Sequence, residues 1–166
     1  GEDFAVIVKL SVIEMGKAEG FHNTEYGSGV ISTALNRGPV DVGIWTHGDV
    51  VPAGTGWSFE PFNAVEHRGC IVGRGATDNK GQLAATFTLL KIFKKLNIDL
   101  GYNLALYVGS NEEKGMSDIR GIEGNEEVKG FINTSIPPRV SLVPDGGFPV
   151  GYGGKGAMFV RLKSKT

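Results

Sequence analysis

The segment Trp45-Thr46-His47-Gly48-Asp49-Val50-Val51-Pro52 ends an apolar run with an imidazole and a carboxylate two residues apart. Three more acidic sites stand at similar transitions. They are Asp78 in Gly73-Arg74-Gly75-Ala76-Thr77-Asp78-Asn79-Lys80-Gly81, the pair Glu112-Glu113 after Gly109-Ser110-Asn111, and Asp145 in Val143-Pro144-Asp145-Gly146-Gly147. Each is flanked by Gly or Pro, residues that let the backbone turn sharply and bring distant segments to one place. Gathered on one edge of a fold, these five carboxylates and one imidazole would carry about five negative charges, which divalent cations would hold there. A set rich in oxygen, with little His and no thiolate, suits zinc, manganese or cobalt and does not choose among them.

Each residue also has a plain reading. His47 at a strand end could be a satisfied structural residue, but a metal-bound imidazole usually gives its second N–H to a carboxylate, and Asp49 can serve that role or merely cap the next turn. Asp78 lies just before a helical pattern, where Asp is a favoured cap. The pair Glu112-Glu113 is harder to explain plainly, since adjacent acids after a buried strand repel in a desolvated cleft unless a cation or proton holds them. Asp145 before two glycines could be a simple turn residue.

The elements that must position these groups follow from periodicity. Residues 4–17 have helical apolar spacing, residues 27–36 read as a strand, and Val40–Trp45 has the near-continuous apolar character of a strand buried on both faces, with His47 just past its end. Residues 69–74 form a short strand, Lys80–Leu96 a helix, Leu104–Val108 a strand followed at once by the acidic pair, Ser117–Phe131 a polar helix, and Val140–Val143 another strand before Asp145. Strands separated by helix-length segments imply an α/β fold: an open, mostly parallel twisted sheet with helices on both faces. Ligands of such sheets bind outside the carboxyl ends of the strands, where His47, Glu112, Glu113 and Asp145 all fall.

The 166 residues, 40% of them hydrophobic and 21% charged, are ordinary for one globular domain. A net charge of −1 with scattered Lys and Arg offers no basic stripe to nucleic acid and no basic amphipathic helix to a membrane surface, so a small molecule is the expected partner. No apolar run reaches the ~18 residues of a membrane span. The single cysteine, Cys70, allows no internal disulfide, fits a reducing, cytoplasmic setting, and reads as a small core residue. His22 and His67 lie in polar segments and read as solvated. Gly151-Tyr152-Gly153-Gly154-Lys155-Gly156 matches a dinucleotide-binding pattern, but an alternating strand pattern follows it where a helix is required.

His47-Gly48-Asp49-Val50-Val51-Pro52, then Gly56-Trp57, Pro61-Phe62, Gly73-Arg74-Gly75 with Asp78 and Lys80-Gly81, Asn111-Glu112-Glu113 and Pro144-Asp145 closely resemble, in order and spacing, the M20 family of cocatalytic metallopeptidases. Phe148-Pro149-Val150 and Tyr152–Gly156 look most like the PepV-type dipeptidase branch, with Gly154 standing where that branch has an acid. The resemblance implies that Asp78 bridges two metal ions, that His47 and Asp145 complete one site, and that Glu113 binds at the other. It also implies that Glu112 is the general base, that Asp49 orients His47, and that the Asp78-Asn79 peptide is cis. A last His ligand and a lid domain that the family carries find no counterpart, so residues 1–166 read as a partial catalytic domain, its central and N-terminal part.

The function implied is hydrolysis of amide bonds in dipeptides or small peptides, at a two-metal site with a Glu base. Deacylation of N-acyl or N-succinyl amino acids is the alternative within the same chemistry, and a non-catalytic metal-binding or interaction domain is the alternative of another class. For the chain alone, low activity is expected, and a homodimeric parent is left open.

Overall fold

The computed structural model describes residues 2–27, 29–121, 129–147 and 151. Helix α1 (Glu2–Ala18) turns Val8, Val12 and Ile13 toward the sheet and closes at Gly20, whose φ of +67° suits a residue without a side chain. The chain then forms a hairpin of β1 (His22–Tyr26) and β2 (Val30–Ala34), crosses to β3 (Val42–His47), and makes a separate ribbon of β4 (Val65–His67) and β5 (Cys70–Val72). Helix α2 (Gly81–Lys95), β6 (Leu104–Gly109), the short turns α3 (Ser117–Arg120) and α4 (Phe131–Thr134), and β7 (Val140–Leu142) follow.

The main sheet has the order β1-β2-β6-β3-β7. β3 runs parallel to both neighbours, with Val42 opposite Leu104 on one side and Val140 on the other, so the carboxyl ends of β3, β6 and β7 share one edge. The β1–β2 and β2–β6 pairings are antiparallel. All six residues of β6 are buried, because alternate side chains enter two different cores. Leu104, Leu106 and Val108 pack with Val12 of α1 and with Leu83, Phe87 and Leu90 of α2. Ala105 and Tyr107 face the opposite side, where Phe131 of α4 sits edge-on to Trp45 and Tyr107, with ring centroids 4.9 and 5.5 Å away. Helices thus cover both faces, as the sequence pattern predicts.

Several details differ from that pattern. β1 and β4 carry too few apolar residues to stand out, and their pairing gives the sheet its antiparallel margin and the molecule its second ribbon. Cys70 is exposed and no part of the core, because the β4–β5 ribbon stands apart from the sheet and buries neither face there. The predicted helix over 117–131 is described only at its two ends, each a single turn. The Tyr152–Gly156 pattern, Phe148-Pro149-Val150 and the strand expected beyond them lie outside the described residues.

Candidate metal centre

β3 delivers His47 as its last residue, 3% exposed, at the shared carboxyl edge. Its Nδ1 lies 3.1 Å from the Asp49 main-chain carbonyl, which can only accept, so Nδ1 carries a hydrogen and Nε2 is the atom presented to the cleft. Nε2 meets Asp78 Oδ1 at 2.9 Å and Asp145 Oδ2 at 3.6 Å. Asp145 hangs from the end of β7. Asp78 stands in the irregular turn Ala76–Lys80 that feeds α2, makes no capping bond, and precedes a cis peptide to Asn79. Gly75 opens that turn at φ +91°, and a Cβ there would lie 2.7 Å from both Val50 Cγ1 and Lys80 Nζ.

Asp49 does more than face the imidazole. Its carboxylate is 3.5 Å from Nδ1, and its two oxygens also accept the backbone N–H groups of Glu112 at 3.2 Å and Glu113 at 3.1 Å. One carboxylate therefore ties the loop after β3 to the loop after β6. Asn79, fully buried, donates through its amide to Asp145 Oδ1 at 2.9 Å and Pro144 O at 3.3 Å, while among the described residues its own Oδ1 has no partner. Two acceptors facing one amide end fix its orientation.

Charge crowding sets the protonation states. Burial works against a charged His47, but the Asp49 carboxylate and carbonyl, with Asp145 behind them, outweigh it and raise the imidazole to about 9. Burial also opposes an ionised Asp49, yet His47 and the Glu113 and Glu112 amides hold it below its usual value. Glu112 is pushed up by burial and by the carboxylates of Asp145, Glu113 and Asp49, against the pull of His47. Burial lowers the Lys80 ammonium despite Asp49 and Asp78.

The donor set fits a divalent cation. One nitrogen and two carboxylate oxygens, from His47, Asp78 and Asp145, lie within 4.8 Å of one another, and ligand atoms of His47, Glu112 and Glu113 form a second group at the same spacing. His47 Nε2 faces the carboxylates of Asp78 and Asp145, a place a metal ion would take. Every predicted site residue reaches this one edge. Two contributors were not among them: Asn79, and Asp118, which is 2% exposed and accepts backbone N–H bonds from Ser110, Asn111 and Ile119. An Asn beside an acid, and an Asp in a polar stretch, carry no signal that sets them apart in the sequence.

The sequence model of the peptidase family M20/M25/M40 matches residues 43–150, the span that carries all six site residues. The chain belongs to that family. It is 33% identical over 152 residues to the Bacillus subtilis (strain 168) protein named "Putative dipeptidase YtjP", covering 92% of this chain and 31% of that one. It is 32% identical over 145 residues to the Staphylococcus haemolyticus (strain JCSC1435) protein named "Putative dipeptidase SH1171", covering 86% and 29%. The chain thus spans about a third of the length of these relatives. Among solved structures, human carnosine dipeptidase 1 superposes with a TM-score of 0.55 at 29% identity, over 64% of this chain and 26% of that one. The M20 metallo-carboxypeptidase Sso-CP2 of Sulfolobus solfataricus gives 0.55 at 29%, over 68% and 26%. Among the described residues no helix is long and apolar enough to cross a membrane.

Proposed function

We propose that the whole protein hydrolyses the amide bond of dipeptides or small peptides with two divalent ions, zinc foremost, to which this chain contributes ligands. The observation that carries the reading is the convergence of His47 Nε2, Asp78 Oδ1 and Asp145 Oδ2 within 4.8 Å, with Glu112 beside them. His47, Asp78 and Asp145 would hold one ion, and Glu113 with Asp78 would contribute to the other. When bound, such ions polarise the scissile carbonyl and acidify attacking water. Glu112 would take the proton of an attacking water and return it to the leaving amine, a task suited to a carboxyl whose pKa is raised by burial. Asp49 fixes the His47 tautomer through its carbonyl and places Glu112 and Glu113 through its carboxylate. The names of the dipeptidase relatives support the substrate class, and the lone exposed thiol of Cys70 agrees with a cytoplasmic setting.

Glu112→Gln in the whole protein tests this. Turnover should fall by at least about 100-fold with metal content unchanged, since the amide keeps the shape and loses the proton acceptor. Asp78→Asn should lose metal instead. Near-normal turnover in Glu112→Gln would remove Glu112 from the role of base.

A further inference from the structure

The loop that carries Glu112 is gripped from two sides. Four consecutive backbone N–H groups, those of residues 110 to 113, point at two buried carboxylates. Ser110 and Asn111 donate to Asp118 Oδ2 at 2.7 and 3.1 Å, and Glu112 and Glu113 donate to the two oxygens of Asp49 at 3.2 and 3.1 Å. The other oxygen of Asp118 accepts from its neighbour Ile119 N at 2.9 Å, so this carboxylate takes three N–H donors. The seat is cut to fit: a Cβ on Gly109 would lie 2.6 Å from Asp118 Oδ2, and one on Gly29 would lie 3.0 Å from Asp118 Cβ. The loop closes on itself as well, with Met116 N donating to Asn111 O at 2.8 Å and the Asn111 amide to Ser117 Oγ.

We propose that Asp118 is a positioning residue for the reaction: with Asp49 it fixes the path of residues 110–113 and so the distance from the Glu112 carboxyl to the cluster of His47, Asp78 and Asp145. This rests on the reading of Glu112 as the base. Asp118 touches none of those ligands, so its effect travels only through the peptide units it holds. A carboxylate is suited to the task because each of its oxygens accepts, Oδ2 from the Ser110 and Asn111 N–H groups and Oδ1 from that of Ile119. Glu112 and Glu113 themselves stay half-exposed, so packing of their side chains cannot substitute for the grip on their backbone. A displacement of about 1 Å at a reacting group can cost about 100-fold in rate.

The test is Asp118→Ala, which removes both accepting oxygens, in the metal-loaded whole protein, with Glu112→Gln alongside. The result expected is a kcat about 100-fold lower, with KM and the calorimetric Mn2+ affinity of the His47–Asp78–Asp145 cluster each within about 3-fold of the parent. Amide hydrogen exchange should also be faster at residues 110–113 and unchanged in β3. Gly109→Ala, which presses a methyl group on Asp118 without removing its charge, reads the same quantities should Asp118→Ala fail to fold. A kcat per folded molecule within about 3-fold of the parent, or unaltered exchange at 110–113, overturns the proposal. If Glu112→Gln keeps its turnover, the assignment of the base is what fails, and the exchange measurement still decides whether Asp118 holds the loop.

Discussion

A metal ion entering the His47–Asp78–Asp145 cluster must displace a proton, because the surrounding carboxylates hold the imidazole at about 9. Apparent affinity then scales with the deprotonated fraction of the ligand. For a pKa of about 9 that fraction is roughly 0.09 at pH 8 and roughly 0.001 at pH 6, so Mn2+ affinity should fall about 90-fold, or about 3 kcal/mol, between them. An imidazole at its ordinary value would give a fall of only about 4-fold. The same arithmetic gives about one proton released per ion bound at pH 7, against about a quarter of a proton for an unperturbed His. Calorimetric titrations at pH 6, 7 and 8, in buffers of different ionisation enthalpy, read both quantities. An affinity change of less than about 10-fold together with release of about a quarter of a proton would refute the argument that the acids hold this imidazole charged.

Without metal, the raised pKa of His47 stabilises the fold fully below about 6.5 and not at all above about 9. Melting temperatures in chelator should therefore lose this contribution as pH rises through that window, and added Mn2+ should restore more of it at pH 9 than at pH 6. Asn79→Ala should lower metal affinity about 10-fold, since Asp145 loses the amide that orients it; calorimetry at fixed pH measures this, and an unchanged affinity would count against the role of that bond. Leu90→Ala, at a side chain with no exposure between α2 and β6, should cost about 2–5 kcal/mol in urea unfolding, with the geometry of the distant metal cluster untouched.

How far the sequence could be read depended on whether a residue's role was local. Val42–His47 and Leu104–Gly109 declare themselves as buried strands because both faces are apolar, and the acids that follow them are placed by the parallel order alone. The Lys80–Leu96 pattern likewise finds its helix at Gly81–Lys95. His22–Tyr26 and Val65–His67 are strands only because a partner pairs with them, and nothing in five or three mostly polar residues announces a partner. The same distinction holds at the site. His47, Asp78, Glu112, Glu113 and Asp145 stand out by type and flanking glycines, whereas Asn79 and Asp118 matter for what they hold, 66 and 8 residues away in the chain. Asp49 was legible as the partner of His47 but not as the anchor of the acidic loop, since that depends on how two loops meet.

Among the described residues, β7 joins the sheet through three residue pairs, all on its β3 side, and its three residues are exposed. His47, by contrast, ends a strand with a neighbour on each flank. An ion shared by His47 and Asp145 therefore ties the best-secured strand of the parallel half to its least-secured one. Metal occupancy and the docking of the margin become one equilibrium. Chelation would be felt first along residues 140–147, before the β6 core registers it.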